Sequence, residues 1–267
     1  MNSGKRVRLA RIFRRGRALI LAIDHGLKVG PLRGIENPRK VAELAVAEEV
    51  DAIMATPPII EYISDFLSDL YAIARVDGGA TSIGPNITND ITLFTIEEAI
   101  NVGADAVVAF GYMGIEKESV QIKKLSQVAS ECKRLGIPLI AEMLPVDLVK
   151  HHFSGGDRNL NPESIALAAR VGWEVGADAV KTYYTGDPET FKRVVNSCPI
   201  PILVLGGPPV EDFVAFLEQI ESALKTGAQG VIVGRNIWQH PTPRQALKAL
   251  SKVVHEGCIA KEAVGKA

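Results

Sequence analysis

Short, uniformly apolar runs alternate along this chain with longer segments whose apolar positions follow a helical period. The apolar runs, rich in Val, Ile, Leu and Ala, predict strands at 18–23, 52–55, 73–76, 106–110, 139–144, 179–182, 202–205 and 231–233. The periodic segments predict helices at 37–49, 58–71, 95–102, 116–135, 162–175, 188–196, 211–226 and 242–255. None of the strand runs alternates with polar residues, so both faces of their sheet need cover, as in a parallel sheet flanked by helices. Eight such units closing on themselves form an α/β fold, a single-domain (β/α)8 TIM barrel over 1–267, and 267 residues is a fitting length for it.

An internal echo fits a barrel of like units. Val102-Gly103-Ala104-Asp105-Ala106-Val107 recurs as Val175-Gly176-Ala177-Asp178-Ala179-Val180, and more weakly as Thr226-Gly227-Ala228-Gln229-Gly230-Val231. In each copy a glycine closes a helix just before a strand. The rival fold, a doubly wound open sheet, calls for a Gly-x-Gly-x-x-Gly turn after its first strand, and none is there. Long connections are expected at 77–92 and 145–161, both after strands and so on the face where barrels keep their chemistry. The tail, 260–267, is expected to fray.

Composition narrows the function classes. Thirty Lys+Arg against 31 Asp+Glu leave a net charge of −1, so nothing global favours nucleic acid or an anionic membrane. No apolar stretch approaches the ~20 residues that cross a bilayer, and the basic start, 1–17, lacks the apolar core of a signal peptide. A cytoplasmic protein is expected. Cys132, Cys198 and Cys258 are widely spaced with no Cys-x-x-Cys pair, which indicates neither a disulfide framework nor a metal site.

The candidate chemistry lies at the strand ends. Lys181 closes the run Gly-Ala-Asp-Ala-Val-Lys. A lysine at the mouth of a buried strand either finds a partner, reaches solvent along its stem, or sheds its proton, and a free amine attacks carbonyls to form a Schiff base. The first strand ends in Asp24, His25 and Gly26, and the third runs into Asp77. Singly, Asp24 fits a turn cap and His25 a core histidine; together at one barrel end they point to a site. Gly206 and Gly207 after the seventh strand, with Gly234 and Arg235 after the eighth, have the placement of a barrel phosphate site. A phosphorylated small-molecule substrate is the expected partner.

These motifs, Ile23-Asp24-His25-Gly26 with Gly30-Pro31, Val180-Lys181-Thr182-Tyr183-Tyr184-Thr185-Gly186-Asp187, Gly206-Gly207 and Val233-Gly234-Arg235-Asn236-Ile237-Trp238-Gln239, resemble those of archaeal-type class I fructose-bisphosphate aldolases. That family also holds the aminodideoxyheptulosonate synthases and the thiolase that breaks down autoinducer-2 phosphate. The resemblance covers nearly the whole chain, and Asp77-Gly78-Gly79-Ala80-Thr81 with Pro85-Asn86 looks more like the heptulosonate synthase branch. It implies that Lys181 forms the Schiff base, that Asp24 assists proton transfers, and that Gly206, Gly207, Gly234 and Arg235 hold the phosphate. It implies a lyase that needs no metal or other cofactor, and a homo-oligomer.

Two departures from the family bear on mechanism. Where it carries Tyr-Pro-Arg-Gly after the fifth strand, this chain has Leu144-Pro145-Val146-Asp147, and leucine cannot carry a proton. If position 144 faces inward, so does Glu142 two residues earlier, as an acid/base beside Lys181 or as one half of a buried ion pair. Tyr183 is a second candidate, its alternative a packed aromatic; Asp147, His151 and His152 follow on the next connection. Gly207-Pro208-Pro209 also lacks the lysine of the family's Gly-Pro-Lys, which Lys28 offsets unless it is merely solvated. Class I aldol chemistry on a phosphorylated ketose such as fructose 1,6-bisphosphate is the leading expectation. Acyl transfer from a phosphorylated diketone to coenzyme A, a heptulosonate-synthase-like transaldol reaction and a non-catalytic sugar-phosphate-binding barrel are the alternatives.

Overall fold

Residues 2–155 and 159–265 are described by the structure, a computed structural model. Eight parallel strands, β1 (Ala18–Ala22), β2 (Ala52–Ala55), β3 (Tyr71–Arg75), β4 (Ala106–Met113), β5 (Leu139–Pro145), β6 (Ala179–Thr182), β7 (Ile202–Leu205) and β8 (Gly230–Val233), close in the order β1-β8-β7-β6-β5-β4-β3-β2. This is a TIM barrel, as the unalternating strand runs predict, and not an open sheet. Alternate residues of each strand point inward. The inward set, from Ala18, Ile20 and Ala22 through Met54, Ile73, Val108 and Ile140 to Leu203 and Ile232, makes one buried apolar cluster that fills the barrel. Outward residues such as Leu19, Ile53, Val107 and Val204 pack beneath the helices. Where β8 meets β1 only glycine fits, because a Cβ on Gly230 would sit 2.3 Å from the Ala18 carbonyl oxygen.

The repeated Gly-Ala-Asp segment has a structural job at the opposite end from the site. Asp178 accepts from the Leu139 amide at 2.9 Å and from Lys5 Nζ at 2.6 Å, and Asp105 accepts from Arg11 at 3.2 Å. The basic start of the chain is a helix, Ser3–Ile12, that lies across the barrel floor. Ile12 joins the interior cluster, and Arg15 pairs with Asp51 at 3.0 Å. Periodicity does not announce this helix because only Lys5, Leu9 and Ile12 are buried on it; Lys5 and Arg11 are held by ion pairs to Asp178 and Asp105, and Arg8 bonds the Gly136 carbonyl.

Three expectations are corrected, and a fourth, the connection at 77–92, stands. The helix expected at 58–71 ends at Tyr62, with a short turn at Ser64–Phe66, and β3 starts at Tyr71. Ser64, Asp65, Ser68 and Asp69 crowd that stretch, and such side chains compete with helical backbone bonds. The connection 145–161 contains a helix, Val146–Ser154, that leaves β5 directly; residues 156–158 lie outside the described residues. Connection 77–92 is pinned by antiparallel pairing of Asp77–Gly78 with Ile91–Thr92. The tail forms a helix, Ala260–Gly265, with Ala260 and Ala263 buried, and only 266–267 lie outside the described residues.

Among the described residues no helix is long and apolar enough to cross a membrane. Ile12 is fully buried at the barrel floor, so Ile12→Ala is expected to lower unfolding stability by about 2–5 kcal/mol. Urea denaturation checks this, with a lower midpoint at unchanged slope.

Candidate active site

Above the apolar filling, the same inward parity continues with charge. Position 24 follows 20 and 22, position 75 follows 73, 142 follows 140 and 181 follows 179, which carries Asp24, Arg75, Glu142 and Lys181 to the C-terminal mouth of the barrel. Register places Glu142 beside Lys181 across β5 and β6, and Lys181 Nζ lies 2.6 Å from Glu142 Oε1. Arg75 bonds the other Glu142 oxygen through Nη2, Asp24 Oδ2 through Nε at 2.8 Å, and Asp77 Oδ1 through Nη1 at 3.3 Å. Its guanidinium also lies over the Phe110 ring, 3.8 Å from the centroid. Asp77 in turn accepts from Lys124 Nζ at 2.6 Å and from the Phe110 amide at 2.8 Å.

Three carboxylates thus meet three cations in a buried layer. Burial alone would raise the Asp24 pKa, but the charges of Arg75 and Lys181 outweigh it and hold the group below its ordinary value. Burial opposes the charge on Arg75 as well, and Asp24, Glu142 and Asp77 keep it held well above the usual arginine range.

Two histidines edge this layer, both kept neutral. Burial pushes His25 down to about 3, although Asp24 Oδ1 lies 3.6 Å from its Nδ1. Its ring meets Trp238 edge-on at 5.4 Å, and a Cβ on Gly234 would come within 2.7 Å of it, so glycine at 234 makes room for the histidine. Burial, reinforced by the charges of Lys181 and Arg235, pushes His152 well below its ordinary value. His152 Nε2 stands 3.6 Å from Glu142 Oε1, its Nδ1 3.2 Å from Tyr183 Oη, and its carbonyl accepts from Arg235 Nη2 at 2.6 Å.

A pocket opens on this layer, lined by Asp24, His25, Arg75, Glu142, His152, Lys181 and Arg235 among others. A second pocket is lined by His151, Tyr183, Gly206, Gly207 and their neighbours. Asn236 fixes that loop, accepting from the Val210 amide at 2.9 Å and donating to the Gly206 and Pro208 carbonyls at 2.8 and 3.0 Å.

The structure therefore brings Asp24, His25, Glu142, Lys181 and Arg235 together, and sets Tyr183, Gly206 and Gly207 in the neighbouring pocket. Glu142 is the buried ion-pair partner of both Lys181 and Arg75 and at the same time within proton-transfer distance of Lys181. Lys28 is not solvated: it is buried, bonds Asp90 at 2.8 Å and the Ile87 carbonyl at 2.9 Å, and lies among Phe110, Tyr112 and Phe153. Asp147 is exposed and lines neither pocket. Sequence reasoning missed Arg75, whose signal was a lone charge inside the apolar run Ile73-Ala74-Arg75-Val76. It also left His152 on a connection, when the helix Val146–Ser154 places that ring between the pockets.

A closed eight-stranded barrel with a buried lysine–carboxylate pair at the strand ends is an architecture suited to lysine-dependent carbon–carbon chemistry. Residues 18–240 match the DeoC/LacD family of aldolases, and the chain belongs to that family. It is 36% identical over 271 residues to an uncharacterised aldolase of Saccharolobus solfataricus, covering 98% of each chain. It is 33% identical over 266 residues to the 2-amino-3,7-dideoxy-D-threo-hept-6-ulosonate synthase of Halobacterium salinarum, covering 100% of this chain and 97% of that one. Among solved structures it resembles an archaeal fructose-1,6-bisphosphate aldolase whose catalytic lysine is covalently bound to the carbinolamine intermediate of the substrate. That likeness has a TM-score of 0.83 and 31% identity, over 93% of this chain and 98% of that one.

Because Arg75 serves three buried carboxylates, Arg75→Leu is expected to cost about 3–5 kcal/mol in urea unfolding. Acid should also destabilise the fold. Unfolded His25 and His152 take up protons below the ordinary histidine value of 6.5, whereas the folded groups resist them, so stability falls as pH drops from about 6 toward 4. For two such protons the slope reaches about 2.7 kcal/mol per pH unit, and His152→Gln is expected to halve it. Asp24, held low when folded, adds its loss only below its ordinary 3.8. Unfolding free energies measured across this window check the slope.

Proposed function

We propose that the chain is a class I aldolase acting on a phosphorylated ketose, fructose 1,6-bisphosphate or a related sugar phosphate, with Lys181 as the Schiff-base residue. The observation that carries this reading is the buried Lys181 Nζ, 2.6 Å from Glu142 Oε1, in a pocket that also holds Asp24 and Arg235. When a ketone enters, Glu142 takes a proton from the Lys181 ammonium and the amine attacks the carbonyl carbon. The carbinolamine oxygen leaves as water with the proton that Glu142 returns, and a protonated imine remains. When the adjacent carbon–carbon bond breaks, its electron pair flows into that imine and gives a neutral enamine. Asp24, kept ionised by Arg75, stabilises the cation beside it.

Arg235, whose described hydrogen bond runs to the His152 carbonyl and not to a carboxylate, is the cation for the substrate phosphate. Backbone amides around Gly234 and in the Gly206–Gly207 turn, where Gly207 has a φ of 68°, are the further donors. A heptulosonate-synthase-type transaldol reaction would use the same imine, and the 33% identity to such a synthase over the full chain favours it as the second reading.

Borohydride reduction in the presence of dihydroxyacetone phosphate or fructose 1,6-bisphosphate is expected to leave a covalent adduct in intact-mass spectra, absent in Lys181→Ala. No adduct with either ligand contradicts the reading and favours acyl transfer or binding without turnover.

A further inference from the structure

Proton-carrying groups form a line through the wall between the two pockets. Lys181 Nζ lies 2.6 Å from Glu142 Oε1, His152 Nε2 lies 3.6 Å from that same oxygen, and His152 Nδ1 lies 3.2 Å from Tyr183 Oη. Lys181 and Glu142 line the first pocket, while Tyr183 lines the second beside Gly206 and Gly207. Tyr183 follows directly on the end of β6 at Thr182, two residues past Lys181 and so ~7 Å of chain away, within the reach of a ligand tethered to that lysine. Leu144, the next inward position of β5 after Glu142, has no proton to offer.

His152 is held in this orientation from several sides. Phe110, Phe153 and Tyr183 meet its ring edge-on, and Arg235 binds its carbonyl. A ring that merely filled space would not need each nitrogen aimed at a different ionisable group. A neutral imidazole in this place carries one N–H and one lone pair, the state needed to accept a proton at one nitrogen while giving one from the other. The 3.6 Å gap to Glu142 exceeds hydrogen-bond length; imine formation takes protons from the Lys181 ammonium that holds Oε1, which lets the carboxylate turn toward Nε2.

We propose that Tyr183 is the acid/base that moves the substrate proton during carbon–carbon cleavage, and that His152 is the positioning residue that passes this proton between Tyr183 and Glu142. The assignment rests on the Schiff-base reading of Lys181. In the cleavage direction the hydroxyl proton on the carbon being released passes to Tyr183 Oη. The proton of Tyr183 moves to His152 Nδ1, and that of His152 Nε2 moves to Glu142. The O–H electron pair becomes the new carbonyl π bond, the carbon–carbon pair goes to the iminium, and Glu142 ends protonated beside a neutral enamine. Running the relay backward delivers the proton to the enamine carbon through Tyr183 and restores the iminium, with no further reactant.

Wild type, Tyr183→Phe and His152→Gln separate the relay from imine formation when each is given dihydroxyacetone phosphate. Borohydride-trapped adduct is read by intact mass, and exchange of the carbon-bound proton with D2O is read by NMR. The expected result is an adduct in all three proteins, with exchange slowed ~10²–10⁴-fold in both variants. Exchange within threefold of wild type in Tyr183→Phe, with the adduct retained, overturns the relay alone. Loss of the adduct in Tyr183→Phe also overturns it, because the tyrosine would then serve imine formation or the fold. No adduct in wild type overturns the Schiff-base reading and the relay with it.

Discussion

The mouth of this barrel depends on the Arg75 guanidinium. Asp24, Asp77 and Glu142 are all buried, and each lies within 3.3 Å of one of its nitrogens. An unpaired carboxylate in such a place costs several kcal/mol, and neighbouring like charges cost more. A planar fork with five N–H donors can serve three carboxylates at once, which a lysine ammonium cannot do with the same geometry. With its second oxygen held by Arg75, Glu142 can present the first to Lys181. The lysine–carboxylate pair that carries the proposed chemistry is thus a consequence of how an arginine on β3 is satisfied.

Height along the inward-facing positions separates the apolar filling from the chemistry. Lower inward positions are aliphatic and, together with Ile12 from the N-terminal helix, form a dry plug. The next inward positions of β3, β5 and β6, and position 24 just beyond β1, are charged. The basic N-terminal segment and the aspartates Asp51, Asp105 and Asp178 secure the floor, and none of them lines the pocket that holds Lys181. Changes at the floor therefore act on stability alone, whereas changes at the next inward positions, Arg75 above all, act on both the site and stability.

Much of this was legible beforehand. The eight strands were readable because uniformly apolar runs in a parallel sheet leave a strong signal; Lys181 and Asp24 stood out as charges at the ends of such runs, and Glu142 only through the parity it shares with position 144. The N-terminal helix was not readable, because its ion pairs, Arg11 with Asp105 and Lys5 with Asp178, reach residues 94 and 173 positions away and leave no local period. Helix Val146–Ser154 begins straight from a strand with no side-chain cap, so His152 could not be assigned a place. Lys28 was left between two readings for a related reason: its partner Asp90 lies 62 residues away in the connection after β3. The division of the glycine loops and Arg235 between two pockets is a matter of tertiary placement that no motif spells out.

The central claim is that Glu142 is the proton carrier for imine formation at Lys181, and the most direct measurement is the rate of imine formation with dihydroxyacetone phosphate in wild type and Glu142→Gln, followed by rapid quench into borohydride. The amide conserves size and can still bond the lysine, but it cannot take up its proton. A rate lower by ~10² or more in the variant, with the folded barrel intact by circular dichroism, is the predicted result. An unchanged rate would contradict the account.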